Sequence, residues 1–120
     1  MTAVPRTLLI VDDHDGFRDG ARALLETDGF EVVGEAADGQ SAIAAARRLR
    51  PDVVLLDVQL PGLDGFEVAK RLADGADPPA IVLTSSRSAD AFRRRLANSP
   101  ARGFITKAEL SGECLASLLT

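Results

Sequence analysis

The sequence has no tryptophan, no tyrosine and only one cysteine among its 120 residues. A single cysteine cannot form an internal disulfide, which excludes a disulfide-stapled secreted scaffold and suits a reducing compartment. The N-terminus lacks the pattern of a signal peptide, and no apolar run approaches the roughly 20 residues that a membrane span needs. We therefore expect a cytoplasmic protein with no membrane partner, and an aliphatic core that includes five phenylalanines.

An excess of positive charge is also missing. The net charge is -4, whereas general affinity for nucleic acid rests on a basic surface, so we expect no direct nucleic-acid binding by this chain. The hydrophobic fraction of 46% and the charged fraction of 27% are ordinary for a folded protein. By its length, the chain from residue 1 to residue 120 is expected to form one domain.

Strand-like and helix-like segments alternate along the chain. The predicted strands cover residues 7–12, 31–35, 53–57, 80–83 and 101–106. Helical patterns lie between and after them: the third helix begins at Asp64 as N-cap with Glu67 as its capping-box partner, the fourth covers residues 88–98, and the fifth begins near Ser111. This alternation predicts an α/β fold with a parallel sheet and helices on both faces.

Polar side chains stand at the ends of four predicted strands. Asp12 and Asp13 end the first strand, Asp57 ends the unbroken apolar third strand, Thr84 follows the fourth and Lys107 the fifth. A buried carboxylate needs a partner, and in a parallel sheet these strand ends meet at one edge. Like charges ~4 Å apart repel by about 4 kcal/mol at an effective dielectric of 20. The predicted cleft therefore requires a cation, and carboxylates suit Mg²⁺.

These residues, together with Pro61-Gly62 and Asp64-Gly65, resemble the receiver domain of bacterial two-component response regulators. Segments 11–14 and 33–39 are most similar to the subclass that usually carries a LuxR-type helix-turn-helix output domain. The resemblance covers roughly residues 6–119 and implies a five-stranded flavodoxin-like sheet in the order 2-1-3-4-5, which is the order of that family itself. The short last helix leaves two alternatives open, the N-terminal part of a longer regulator or a stand-alone one.

The resemblance implies a phosphorylation-dependent switch and not an enzyme acting on other substrates. Asp57 would accept a phosphoryl group from a histidine kinase or a phosphotransfer protein, and would later lose it by autodephosphorylation. Asp13 and Asp57 would bind Mg²⁺ directly, Asp12 mostly through water, and Gln59 through its backbone carbonyl. Lys107 would neutralise one phosphoryl oxygen.

Further residues would read or time the phosphorylation. Thr84 would hydrogen-bond a phosphoryl oxygen, while Gln59 and Ser86 would flank the path of the hydrolytic water and tune the lifetime of the phosphoryl group. Phe104 stands at the aromatic switch position, where many relatives have tyrosine. Thr84 and Phe104 would change the surface of the fourth helix, fifth strand and fifth helix, which favours a homodimer or a partner complex.

Four other features have plainer interpretations. We expect His14 to be an exposed residue at the start of the first helix and not a ligand, and Cys114 to be a small buried or half-buried residue. The arginine run 93–95 is expected to be a solvated helix face. The family often has proline after its lysine, but here Ala108 follows, so the isomer of that peptide bond stays open.

Two alternatives compete with the switch. One is a degenerate receiver that only binds other proteins. The other is a haloacid-dehalogenase-type phosphatase, which also forms an aspartyl phosphate, but whose first strand carries an Asp-x-Asp pattern that this chain lacks. Acetyl phosphate with Mg²⁺ separates them, since stoichiometric labelling indicates a switch, turnover of phosphate esters a phosphatase, and no reaction a binding module.

Overall fold

The structure, a computed structural model, describes residues 4–120. One sheet of five parallel strands has the order β2-β1-β3-β4-β5. The strands are β1 (Thr7–Val11), β2 (Glu31–Ala36), β3 (Val53–Asp57), β4 (Ala80–Ser85) and β5 (Gly103–Thr106). The α-helices are α1 (Asp15–Thr27), α2 (Gly39–Leu49), α3 (Gly65–Ala73), α4 (Arg93–Ala97) and α5 (Gly112–Ser117). The predicted fold class and strand order are confirmed.

Alternation along the strands divides the core into two layers, because successive side chains project to opposite faces of a sheet. Leu56 and Leu83 lie on one face, where α2, α3 and α4 pack. Leu55 and Val82 lie on the other, where α1 and α5 pack. Helices on both faces are thus confirmed, and β3, with all five residues buried, lies at the centre of the sheet.

The start of α3 agrees with the sequence in part. Asp64 is the N-cap, and its Oδ1 accepts a hydrogen bond of 3.0 Å from the backbone N–H of Glu67. The expected return contact of the capping box is wrong, because the carboxylate of Glu67 pairs with Arg71 one turn later. The fifth helix begins as predicted, with the Ser111 hydroxyl accepting from the backbone N–H of Cys114.

The single fourth helix predicted over residues 88–98 is wrong. A 3₁₀ turn at Ala89–Phe92 precedes a five-residue α4, and the backbone at Phe92, with φ -124° and ψ 15°, separates them. The Phe92 ring is buried, with its centroid 6.0 Å from that of Phe66 and 6.1 Å from that of Phe104. Burying a phenylalanine is worth roughly 1.5–3 kcal/mol, whereas short helices have little stability of their own, so burial of the Phe92 ring favours the interruption.

Three smaller points complete the fold. The expectation that Cys114 is buried or half-buried is wrong, because this residue is exposed. Within residues 4–120 there is no cis peptide bond, so the bond between Lys107 and Ala108 is trans. In the same part of the chain, no helix has both the length and the apolar character to span a bilayer.

Candidate functional site

Four of the predicted site residues converge at the carboxyl edge of the sheet. Asp57 is the last residue of β3 and is the register partner of Thr84 in β4. Asp12 directly follows β1 and Lys107 directly follows β5. Side chains alternate between the two faces along a strand, and this alternation assigns all four residues to the face that α1 and α5 cover. Their side chains therefore enter one cleft beside α1.

Asp57 is the most central of these residues. It is 3% exposed; its Oδ1 accepts a hydrogen bond of 2.9 Å from the backbone N–H of Gln59, and its Oδ2 accepts one of 3.0 Å from Lys107 Nζ. Gly65, at the start of α3, allows the chain to pass close by, since a Cβ there would overlap the backbone carbonyl oxygen of Asp57. The strand and the following turn thus hold this carboxylate in one position.

Lys107 joins the two buried carboxylates. Its Nζ lies 2.6 Å from Asp12 Oδ2, 3.0 Å from Asp57 Oδ2 and 4.4 Å from the centroid of the Phe17 ring. The contact between Lys107 Nζ and Asp12 Oδ2 is a close ion pair, but it does not have the geometry of a hydrogen bond. Burial lowers the pKa of Lys107, but the contacts with Asp12 and Asp57 outweigh it and raise the pKa above its ordinary value. The ammonium therefore stays charged.

The pKa values of the two buried carboxyl groups are shifted in opposite directions. Burial, and then the neighbouring Asp12, raise the pKa of Asp57 to about 6. Burial also opposes ionisation of Asp12, yet its contacts with Asp57 and Lys107 outweigh burial and hold the pKa of Asp12 below its ordinary value. One ammonium does not balance the negative charge of the cleft, which makes a further cation favourable.

The donor set fits a single divalent cation. Asp12, Asp13, His14 and Asp57 each offer one ligand atom, and these atoms lie within 4.8 Å of one another. Opposite ligands of an octahedral Mg²⁺ with bonds of 2.0–2.1 Å are about 4.2 Å apart, so small side-chain adjustments bring this set around one ion. The Asp13 side chain is 35% exposed, which leaves water access to the site.

Thr84 is fully buried, and its Oγ1 has no hydrogen-bond partner within the described part of the chain. An unsatisfied buried hydroxyl costs free energy, of order 1–3 kcal/mol, unless something else supplies the partner. Because Thr84 stands opposite Asp57 in the sheet, its hydroxyl is available to a ligand that reaches this carboxylate.

The remaining predicted residues lie at or outside the rim. The side chains of Gln59 and Ser86 are exposed on the turns that follow β3 and β4. Phe104 is the register partner of Leu83, one residue before Thr84, so alternation places it on the opposite face of the sheet from Thr84. It is half-buried against Phe92, and the structure does not bring it into the cleft.

Sequence reasoning missed two side chains. His14 is exposed as expected, but its Nδ1 lies 3.0 Å from Asp12 Oδ1 and 3.1 Å from Asp13 Oδ1; adjacency to the acid pair was the available signal. Arg95 is not simply solvated, because its guanidinium bonds Asp64 at 2.6 Å and lies 4.2 Å from the centroid of the Phe66 ring. Nothing local in the sequence indicates this contact.

Comparison with known proteins places the chain in a family. Residues 8–118 match the response regulator receiver domain. The chain therefore belongs to the receiver domains of two-component response regulators, which serve phosphorylation-based signalling.

Among its relatives is the response regulator GacA of Pseudomonas viridiflava, with 41% identity over 101 residues, covering 83% of this chain and 47% of GacA. The signal receiver domain of NarL from Mycobacterium tuberculosis superposes with a TM-score of 0.84 at 32% identity, covering 98% of both chains. A LuxR-family response regulator from Aurantimonas superposes with a TM-score of 0.82 at 34% identity, covering 97% of this chain and 86% of that one. The chain spans about half the length of the curated relatives it matches.

Proposed function

We propose that Asp57 is the phosphoacceptor of this receiver domain and that its phosphorylation controls an output domain or partner. The observation that carries the proposal is the position of Asp57, buried at a strand end and bonded to Lys107 at 3.0 Å. Beside it, the Thr84 hydroxyl has no partner within residues 4–120. A carboxylate, an ammonium and a free hydroxyl meet there as phosphoryl transfer requires.

Transfer from a phosphohistidine donor breaks its P–N bond and forms an O–P bond to an Asp57 oxygen, leaving the imidazole of the donor. Phosphoryl transfer depends on positioning and on neutralisation of charge on the equatorial oxygens. Lys107 already lies against Asp57 and is able to neutralise one oxygen, and Thr84 is able to donate a hydrogen bond to another. The buried strand end holds the Asp57 carboxylate in one position, which favours in-line attack.

A divalent cation would supply the remaining charge neutralisation. Carboxylate-rich sites with water access suit Mg²⁺, which is often completed by phosphate oxygens. Asp13 and Asp57 would hold the ion directly, Asp12 mostly through water, and Gln59 through its backbone carbonyl. The side chains of Gln59 and Ser86 are exposed on the turns that follow β3 and β4, and we expect them to tune the access of hydrolytic water.

Phosphorylation is proposed to control the output by changing the surface formed by α4, β5 and α5. Thr84 and Phe104 project to opposite faces of the sheet, so a displacement of Thr84 would act on Phe104 through the backbone of β4 and β5 and not by direct contact. A turn of the Phe104 ring against Phe92 would then alter this surface and favour a homodimer or a partner complex.

The chain is proposed to be one receiver domain, at the N-terminus of a regulator whose DNA-binding output domain is of the LuxR type. Its relatives are about twice as long, and a LuxR-family regulator is among the structural neighbours. In this arrangement the phosphoryl donor is a histidine kinase or phosphotransfer protein, in the cytoplasm, and nucleic acid is bound by the output domain alone.

Acetyl phosphate with Mg²⁺, followed by intact-mass measurement, tests the acceptor. The parent should gain one phosphoryl group, and Asp57→Asn should gain none because the amide is not a nucleophile. Asp77→Asn is the matched control, since Asp77 is exposed in the loop before β4, at the amino edge of the sheet and opposite to the cleft, and it should be labelled like the parent. Full labelling of Asp57→Asn would refute the assignment, and turnover of phosphate esters would favour the phosphatase alternative.

A further inference from the structure

Helix capping does not explain the position of the His14 imidazole, although the backbone N–H of His14 donates to Asp12 Oδ1 at 2.8 Å. His14 is the N-cap residue of α1, but its side chain makes no capping hydrogen bond, and N-caps favour serine, threonine, aspartate or asparagine. Its imidazole instead turns back over the acid pair, although 70% of the side chain remains exposed. The contact with the carboxylates is therefore the feature that requires a reason.

The two distances from His14 Nδ1 match two edges of a metal octahedron. His14 Nδ1 lies 3.0 Å from Asp12 Oδ1 and 3.1 Å from Asp13 Oδ1. Adjacent ligands of an octahedral ion with bonds of about 2.1 Å lie about 3.0 Å apart. Only the contact to Asp12 has hydrogen-bond geometry, and the contact to Asp13 Oδ1 at 3.1 Å does not. One hydrogen bond thus does not account for the placement between both acids.

Coordination by Nδ1 is chemically simple at this position. Neutral imidazole carries its proton on either nitrogen. With the proton on Nε2, which the exposed ring leaves to solvent, the lone pair of Nδ1 is free to bind a cation. Imidazole nitrogen is a good ligand for first-row transition ions, whereas Mg²⁺ prefers oxygen.

We propose that His14 Nδ1 is a direct ligand of first-row divalent transition ions at this site. Such ions are held by one nitrogen together with the carboxylates, while Mg²⁺ is held by oxygen atoms alone. The cleft then distinguishes two classes of cation through a residue outside the acidic set. This inference rests on the cation site of the proposed function and adds a ligand to it.

Pulsed EPR of bound Mn²⁺ tests the ligand directly. The chain has a single histidine, so with the purification tag removed, coupling from a coordinated imidazole nitrogen has one possible source. The parent should show this coupling, and His14→Ala and His14→Asn should not. The asparagine variant keeps an N–H donor near the acids but has no imidazole. Bound Mn²⁺ without coupled nitrogen in the parent, or coupling that persists in either variant, overturns the proposal.

Metal titration gives an independent readout. His14→Ala should weaken Mn²⁺ binding roughly tenfold or more, since even outer partners of metal ligands contribute 10–100-fold, and should change Mg²⁺ binding less than about threefold. If His14 only orients the carboxylates, both ions should weaken equally, which would overturn the proposal. If Asp13→Ala and Asp57→Asn leave both affinities intact, or Mn²⁺ does not bind, the cation site of the proposed function fails as well.

Discussion

The part of the chain that delivers Asp57, residues 4–57, is called the rigid half, and the part that follows β4, residues 86–120, the output half. The two are built from elements of different length. In the first half, α1 has 13 residues, α2 has 11, and every residue of β3 is buried. In the second, α4 has five residues and none of them buried, α5 has six, and one of the four residues of β5 is buried. Short helices have little stability of their own, so these depend on a few side-chain contacts.

The contacts that hold α4 are few and specific. Phe92 joins Phe66 and Phe104 in a cluster of three rings, and Arg95 bonds Asp64 at the start of α3. The difference between the halves suits the proposed switch, which requires a rigid site for chemistry and an output surface with a second arrangement of similar free energy. Four predictions test this division, from the largest expected effect to the smallest.

The largest effect should come from matched leucine truncations in the two halves. Leu55 is fully buried in β3, whereas Leu96 is partly exposed on α4. Leu55→Ala should lower the free energy of unfolding by about 2–5 kcal/mol because it leaves a core cavity. Leu96→Ala should cost about 1 kcal/mol. Denaturant titration measures both, and equal losses would remove the contrast between the halves.

Saturating Mg²⁺ should raise the free energy of unfolding, because the carboxylates of the rigid half bind the ion only in the folded protein. At a hundredfold excess over Kd, a ligand that binds only the folded state adds about 2.7 kcal/mol. Asp13→Ala should lose most of this gain, because its partly exposed carboxylate is a proposed direct ligand, and Asp12→Ala should lose less. Thermal unfolding with and without EDTA provides the measurement, with Asp77→Asn as control. An undiminished gain in Asp13→Ala would contradict the site.

Phe104→Leu should uncouple the output half from the site. Beryllofluoride, a stable mimic of the acyl phosphate, should shift NMR signals in α4 and β5 of the parent and promote dimers seen by light scattering. Allosteric couplings are commonly 1–3 kcal/mol, or about 5–150-fold. In the variant, beryllofluoride should therefore increase the dimer association constant at least about fivefold less than in the parent. Phe30→Leu, in the core beneath α1 and α5, is the control. Shifts confined to the Asp57 cleft would refute the route.

The smallest effect concerns the ion pair between α3 and α4. Burial opposes ionisation of Asp64, but the bonds from Arg95 and from the backbone of Glu67 outweigh it and lower its pKa. A carboxylate whose folded pKa is below its unfolded value of about 3.8 stabilises the protein above that pH. The contribution is lost as the pH falls through the folded pKa.

Asp64→Asn keeps an N-capping oxygen but loses the charge. It should therefore be less stable than the parent by about 0.2–1 kcal/mol at pH 7, since the pair is partly exposed, and the gap should close in acid. Denaturant titrations across pH measure this, and an Arg95→Met background should reduce the difference, leaving only the part that comes from the backbone of Glu67. A gap that widens as the pH falls would show that the ion pair is not its source.

The site was predictable to the extent that it depends on strand ends. Unbroken apolar runs identify the buried strands, and parallel pairing brings their carboxyl ends to one edge, so Asp12, Asp57, Thr84 and Lys107 were located from the pattern alone. Asp64 as N-cap followed from local chemistry in the same way. Roles in phosphoryl transfer are carried by the family and stay proposals for this chain.

The sequence by itself determined the order of elements and the residues delivered to the cleft, because hydrophobic periodicity and caps are local properties. Only the tertiary structure decided that Phe92 interrupts the fourth helix and that Arg95 reaches Asp64. The physical reason is that each depends on the distance between groups on different elements. A side chain far along the sequence, or the space left by packing, then outweighs the local preference.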